Sequence, residues 1–224
     1  MTEDLVRLEV DGHGVAAPRG TKILRAALDA GIDVPHLCAR DDREPPFGAC
    51  RLCWVEIEGR GKPVTSCTVE VAEGMVVRTR TPAVDRLVAS GFRMLMSHHN
   101  LECRRCGANH ACGLQRIAVS RRLELKPRRL PRLPRLEAVD DSHPRIRFDR
   151  TKCVLCGQCV WVCRREGTGV LDFSRRGLDT IVGTFADLPL VRTPCSSCMA
   201  CVAACPTGAL LAKDDHGSVP GTRT

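Results

Sequence analysis

The chain has 224 residues, 43% hydrophobic but only 3% aromatic, and a formal net charge of +8. So few aromatic anchors exclude one large core and point to several small modules in which metal ligation adds folding free energy. The 15 Cys are an odd number, and the first residues carry no apolar leader, so reduced metal-binding thiols in a cytoplasmic protein are expected rather than a disulfide framework.

Residues 1–80 read as a β-grasp domain. Val6, Leu8 and Val10 alternate with polar residues, Asp11-Gly12-His13-Gly14 turns the chain, and Val15 and Ala17 continue on a second strand. Thr21 is placed as the cap of a helix running through Ala30, with Ile23, Leu24, Ala27 and Leu28 on one face and Gly31 at its end. Two further strands are expected at residues 54–57 and 76–78. Residues 81–120 open with Thr81-Pro82, Pro standing at the first helical position. That helix should bury Val84, Leu87, Val88 and Leu95 and end near Ser97-His98-His99, before a short Cys-rich segment.

Residues 121–147 read as a linker, interleaving Arg121, Arg122, Lys126, Arg128, Arg129, Arg132 and Arg135 with Pro127, Pro131 and Pro134. Pro at this density favours an extended spacer or protein-docking strap. Without aromatic stacking residues a nucleic-acid surface is not expected. Residues 148–213 contain an internal repeat, and 214–224 form a polar tail expected to be mobile. No stretch is long enough to span a bilayer.

The repeat carries the most specific chemistry. Cys-x2-Cys-x2-Cys-x3-Cys occurs as Cys153, Cys156, Cys159 and Cys163, and again as Cys195, Cys198, Cys201 and Cys205, the second copy followed by Pro206 and the first by Arg164. Three closely spaced thiolates reach three irons of one cubane, while the fourth points to the other. The expected ligand sets are therefore crossed. Cys153, Cys156 and Cys159 are joined by Cys205, and Cys195, Cys198 and Cys201 by Cys163. Structural zinc prefers two separated Cys pairs. Upstream, the loosely spaced Cys38, Cys50, Cys53 and Cys67 suit either a [2Fe–2S] rhomb or zinc. Cys103, Cys106 and Cys112 leave a cubane one ligand short, with His98, His99 and His110 nearby, and imidazole is an accepted iron–sulfur ligand.

Gly48-Ala49-Cys50-Arg51-Leu52-Cys53, leading into Trp54-Val55-Glu56-Ile57, resembles the [2Fe–2S] domain at the start of the large iron–sulfur subunit of respiratory complex I. The same domain opens iron-only hydrogenases and the small diaphorase subunit of NAD(P)-reducing hydrogenases. This resemblance implies one [2Fe–2S] cluster on Cys38, Cys50, Cys53 and Cys67. His99-x3-Cys103-x2-Cys106-x5-Cys112, with the trailing Gly113-Leu114-Gln115, is similar to the His-ligated [4Fe–4S] segment of the same family. It implies His99 as fourth ligand, since His98 has the wrong spacing and His110 lies inside the loop. Val139-Asp140-Asp141-Ser142-His143-Pro144 and Arg176-Gly177-Leu178-Asp179-Thr180 also look like this family.

The four sets use every Cys, giving one [2Fe–2S] and three [4Fe–4S] clusters. The expected fold class is α+β: an N-terminal β-grasp [2Fe–2S] ferredoxin-like domain, a small helical [4Fe–4S] segment with one His and three Cys ligands, and a C-terminal bacterial-type 2[4Fe–4S] ferredoxin domain. The chain stops soon after Pro206-Thr207-Gly208-Ala209-Leu210, without the catalytic continuation of the longer relatives, so the whole-length resemblance is to the small diaphorase subunit. That implies a hetero-oligomeric electron-transfer subunit linking a flavin- and NAD(P)H-binding subunit to a catalytic hydrogenase subunit. The alternative partner is a formate dehydrogenase or another NADH-linked oxidoreductase. No G-x-G-x-x-G opens a helix after a strand, so no active site of its own is expected. From a different class, the competing reading is a zinc- or cluster-stabilised nucleic-acid-binding protein.

Overall fold

Alternation along Leu5–Val10 (β1) buries Val6, Leu8 and Val10 on one face. The strand returns as His13–Pro18 (β2) with Val10 paired to His13. The two residues between them, Asp11 and Gly12, have φ of 50° and 83°. Positive φ at both central positions makes the primed turn whose twist matches a hairpin, and Gly12 takes it without steric cost.

The computed structural model describes residues 4–126, 130–131, 133, 139–166 and 168–214. Residues 215–224 of the expected tail, and Pro127, Arg128, Arg129, Arg132, Pro134 and Arg135 of the expected linker, lie outside the described residues. The chain divides into two compact units, Met1–Phe92 and Arg93–Thr224.

In the first unit, helix α1 spans Ile23–Asp29 and buries Ile23, Leu24, Ala26 and Ala27. Its N-cap is Lys22 with no side-chain cap, not Thr21. The reason is pairing: Lys22 bridges Glu70, and Ile23 N donates to Val69 O at 2.9 Å, so a neighbouring strand segment satisfies the helix entrance. Strands β3 (Trp54–Ile57), β4 (Val64–Thr65) and β5 (Met75–Arg78) complete a sheet of order β2-β1-β5-β3-β4, with β1 and β5 parallel. This is the β-grasp arrangement. The two-residue β4 is too short to have a sequence signal. Helix α2, Pro82–His98, starts in the first unit and continues past its last residue, Phe92, and opens with Thr81 Oγ1 accepting from Val84 N at 3.2 Å. Its fully buried line is Val84, Val88, Phe92 and Met96, spaced by four, whereas Leu87 and Leu95 are half-buried.

In the second unit, α3 spans Gly113–Arg121. Strand β6 (Ile146–Phe148) pairs antiparallel with β9 (Leu210–Ala212), closing the ends of the four-Cys repeat on one another. Between them lie α4 (Gln158–Arg165), the hairpin of β7 (Asp172–Ser174) and β8 (Ile181–Gly183), and α5 (Ala200–Ala203). Ile146, Phe148, Val160, Val162, Leu171 and Leu210 form its core, in which Cys159, Cys163 and Cys201 are also buried. Among the described residues no helix is long and apolar enough to cross a membrane.

Candidate metal centres

None of the 15 cysteines, all among the described residues, forms a disulfide. In the first unit Cys38, Cys50, Cys53 and Cys67 are all buried. Cys38 follows α1, Cys50 and Cys53 flank the bend before β3, and Cys67 sits in the turn after β4. They form two pairs. The Cys38 thiol donates to Cys50 Sγ at 3.4 Å, and Cys67 donates in the same way to Cys53. Donation to Cys50 holds the proton on Cys38 and raises its pKa, while Cys50 is lowered to about 6. The hydrogen bond from Cys67 likewise lowers Cys53. Two facing pairs of thiols match a [2Fe–2S] rhomb, which takes two thiolates per iron. Ser66 pins the turn, its hydroxyl donating to Cys53 O at 2.9 Å.

In the second unit the repeat is written into the backbone as well as the sequence. Leu155 and Ser197 have φ of 54° and 56°, and Gly157 and Met199 have φ of 80° and 64°. A left-handed turn is unusual for Leu or Met. Here both loops need it to wind their thiols and amides around a centre, and Leu155 N donates to Cys153 Sγ at 3.4 Å. One cavity is lined by Cys153, Cys156, Cys159 and Cys205, with Pro206 and Thr207. Burial and the neighbouring Cys153, Cys156 and Cys205 push the Cys159 thiol well up. Burial, then Cys163, Cys195 and Cys198, push Cys201 up to about 12. Cys201 also neighbours Cys159, and Cys205 shares the cavity of the first run. The second loop is braced from the segment before β6: Arg145 N donates to His143 Nδ1 at 3.1 Å, which leaves His143 Nε2 to donate to Ser197 Oγ at 3.1 Å.

A separate cavity is lined by His99, Cys103, Cys106 and Cys112, together with Gln115, Lys152 and Gly208. Its lining includes neither His98 nor His110, and His110 is exposed. His99 Nδ1 donates to Lys152 O at 3.1 Å, so the proton is on Nδ1 and the lone pair is on Nε2. A backbone carbonyl holding the distal nitrogen is the usual support of a metal-ligating imidazole. The loop is shaped by Gln115, whose amide donates to Asn109 Oδ1 at 2.7 Å and accepts from His110 N at 2.8 Å. A Cβ on Gly208 would stand 2.3 Å from Cys106 Sγ, so only Gly allows this approach.

Among the described residues no three His, Cys, Asp or Glu side chains could hold a single metal ion. A cluster takes its protein ligands on several irons, so its donors need not converge on one point. Several buried thiols facing one another also call for a cation, because all must lose protons to bind and none is stable as an isolated buried thiolate. The donor sets therefore fit iron–sulfur clusters.

Known proteins agree. Residues 3–82 match the 2Fe-2S iron-sulfur cluster binding domain family, and residues 146–166 match the 4Fe-4S binding domain family. The chain is 34% identical over 210 residues to NADPH-Fe(3+) oxidoreductase subunit alpha of Geobacter sulfurreducens, covering 93% of this chain and 24% of that protein. It is 35% identical over 190 residues to an NADH-quinone oxidoreductase subunit of Streptomyces coelicolor, covering 81% and 22%. It is 32% identical over 218 residues to NADP-reducing hydrogenase subunit HndD of Solidesulfovibrio fructosivorans, covering 92% and 36%. A chain of the NAD+-reducing [NiFe]-hydrogenase in its H2-reduced state superposes with a TM-score of 0.83 at 27% identity, over 98% of this chain and 97% of that one. The chain is thus similar to iron–sulfur subunits of NAD(P)-linked hydrogenases and of NADH-quinone oxidoreductases. This iron–sulfur subunit spans about a quarter to a third of the length of the curated relatives it matches. It carries a [2Fe–2S] domain followed by a 4Fe-4S binding motif. The Lys152 carbonyl and the Gly208 contact had no signal in the sequence, the first being a backbone atom and the second a matter of tertiary approach.

Proposed function

We propose that the chain is the electron-conducting subunit of an NAD(P)-linked hydrogenase, placed between a flavin subunit that handles NAD(P)H and a catalytic subunit in a cytoplasmic hetero-oligomer. The observation that carries this reading is the likeness, over 98% of this chain and 97% of the other, to a chain of an NAD+-reducing [NiFe]-hydrogenase. The proposed cofactors are one [2Fe–2S] and three [4Fe–4S] clusters, which when bound supply one-electron chemistry. The proposed ligands of the [2Fe–2S] cluster are Cys38, Cys50, Cys53 and Cys67. Those of the middle cubane are His99, Cys103, Cys106 and Cys112, and the remaining two cubanes take the crossed sets of the repeat. Burial of sulfur, one of the levers that set potential, is complete at Cys38, Cys50, Cys53 and Cys67 and least at Cys198, which is exposed.

A second reading keeps the same conducting role beside another NADH-linked catalytic subunit. The similarity to the Geobacter and Streptomyces proteins favours it. The proposed domain scheme, 1–80, 81–120 and 148–213 with a linker between the last two, gives each cluster group its own module.

The isolated, cluster-loaded chain should not oxidise NADH with an artificial acceptor, and its clusters should bleach with NADH only after a flavoprotein subunit is added. Robust NADH turnover by the pure chain would contradict the reading. Nickel in the complex purified with this chain selects the hydrogenase reading over the second.

A further inference from the structure

Two charged residues outside the ligand set line the His99 cavity, Glu102 and Lys152, and only Lys152 is buried. Lys152 is only 6% exposed. Its ammonium lies 3.0 Å from Asp149 Oδ2, both side chains being buried, and 3.7 Å from Glu102, which is half exposed. Lys is rarely buried this far without a partner, and desolvating the pair costs stability that apolar residues would not forfeit. Lys152 lines the cavity with His99, Cys103, Cys106 and Cys112, whereas Asp149 does not. Lys152 Cδ and Cys106 Sγ both lie within 4 Å of the point where a Cβ on Gly208 would stand. Of the buried pair, the cation is therefore the member that lines the cavity of these ligands. Asp149 is held through its other oxygen, which accepts from Thr151 N at 3.1 Å.

A unit charge in a buried, low-dielectric site acts strongly on any charge added beside it. Reducing a cluster adds one electron and, with no bond made or broken, one negative charge. A fixed cation next to it favours the reduced form, and net charge is among the levers that set cluster potentials. We propose that Lys152 sets the reduction potential of the His99, Cys103, Cys106 and Cys112 cluster, its ammonium holding that potential up while its carbonyl orients His99. The inference rests on the proposed middle cluster.

The test is an anaerobic potentiometric EPR titration of the loaded full-length chain, the electron coming from dithionite through mediators. Lys152→Met keeps the length and the carbonyl but removes the charge, so the midpoint of the His99-dependent signal should fall while its line shape persists. Lys152→Arg should keep the wild-type midpoint. Asp149→Asn removes the opposing charge and should raise it. An unchanged midpoint in Lys152→Met, an equal fall in Lys152→Arg, or no upward shift in Asp149→Asn overturns the proposal. If Lys152→Met fails to load the cluster, the Asp149→Asn shift decides alone. Failure of the ligand assignment looks different, because the wild-type protein then shows no His99-dependent signal at all.

Discussion

Replacing His99 by Ala should cost the protein one cluster and leave the others in place. On the proposed assignment the middle cubane is then left with Cys103, Cys106 and Cys112 alone, and one iron has no protein ligand. Iron should fall by about 4 atoms per chain, the content of one cubane. The other clusters survive because their ligands belong to other loops, and the Lys152 carbonyl that His99 engages also accepts from Thr207 Oγ1 at 3.0 Å. His98→Ala should change neither iron content nor EPR, since His98 is absent from the cavity lining. His99→Cys should retain the cubane but lower its midpoint, because thiolate in place of neutral imidazole makes the cluster more negative, the reverse of the effect seen in Rieske centres. Loss of a cluster in His98→Ala with retention in His99→Ala would reverse the assignment.

The crossed ligation of the repeat gives the second large effect. Cys205→Ala and Cys153→Ala should abolish the same [4Fe–4S] signal, although the two residues lie in different runs. Cys163→Ala and Cys195→Ala should abolish the other. Each single change removes about 4 iron atoms, and combining two changes within one crossed set should remove no more than either alone. The cavity that Cys205 shares with Cys153, Cys156 and Cys159 motivates this, as does the push on Cys201 from Cys163. If Cys205→Ala and Cys195→Ala erased one common signal, each run would instead hold its own cluster.

The hairpin, the β-grasp sheet and the repeat were readable because their signals are local. Val6, Leu8 and Val10 alternate, Asp11-Gly12 fixes a primed turn, and the four-Cys runs repeat at constant spacing. The cap of α1 was misread because the entrance of that helix is satisfied by a strand far along the chain, at Val69 and Glu70. Propensity at Thr21 cannot report a tertiary pairing of that kind. The buried face of α2 was half right: Val84 and Val88 are buried, but the line continues through Phe92 and Met96 rather than Leu95. At the metal centres the thiols were legible by type and spacing. Their supports were not: the His99 acceptor is a main-chain oxygen, and Lys152 becomes a neighbour of Cys106 only once Gly208 brings the two segments together.

The central claim is that four separate clusters occupy the four donor sets. Anaerobic determination of iron, acid-labile sulfide and zinc in one preparation of the full-length chain tests it most directly. The account predicts about 14 iron atoms per chain, an equal amount of sulfide and no zinc. Zinc at Cys38, Cys50, Cys53 and Cys67 with about 8 iron atoms would contradict both the [2Fe–2S] assignment and the His99 cubane.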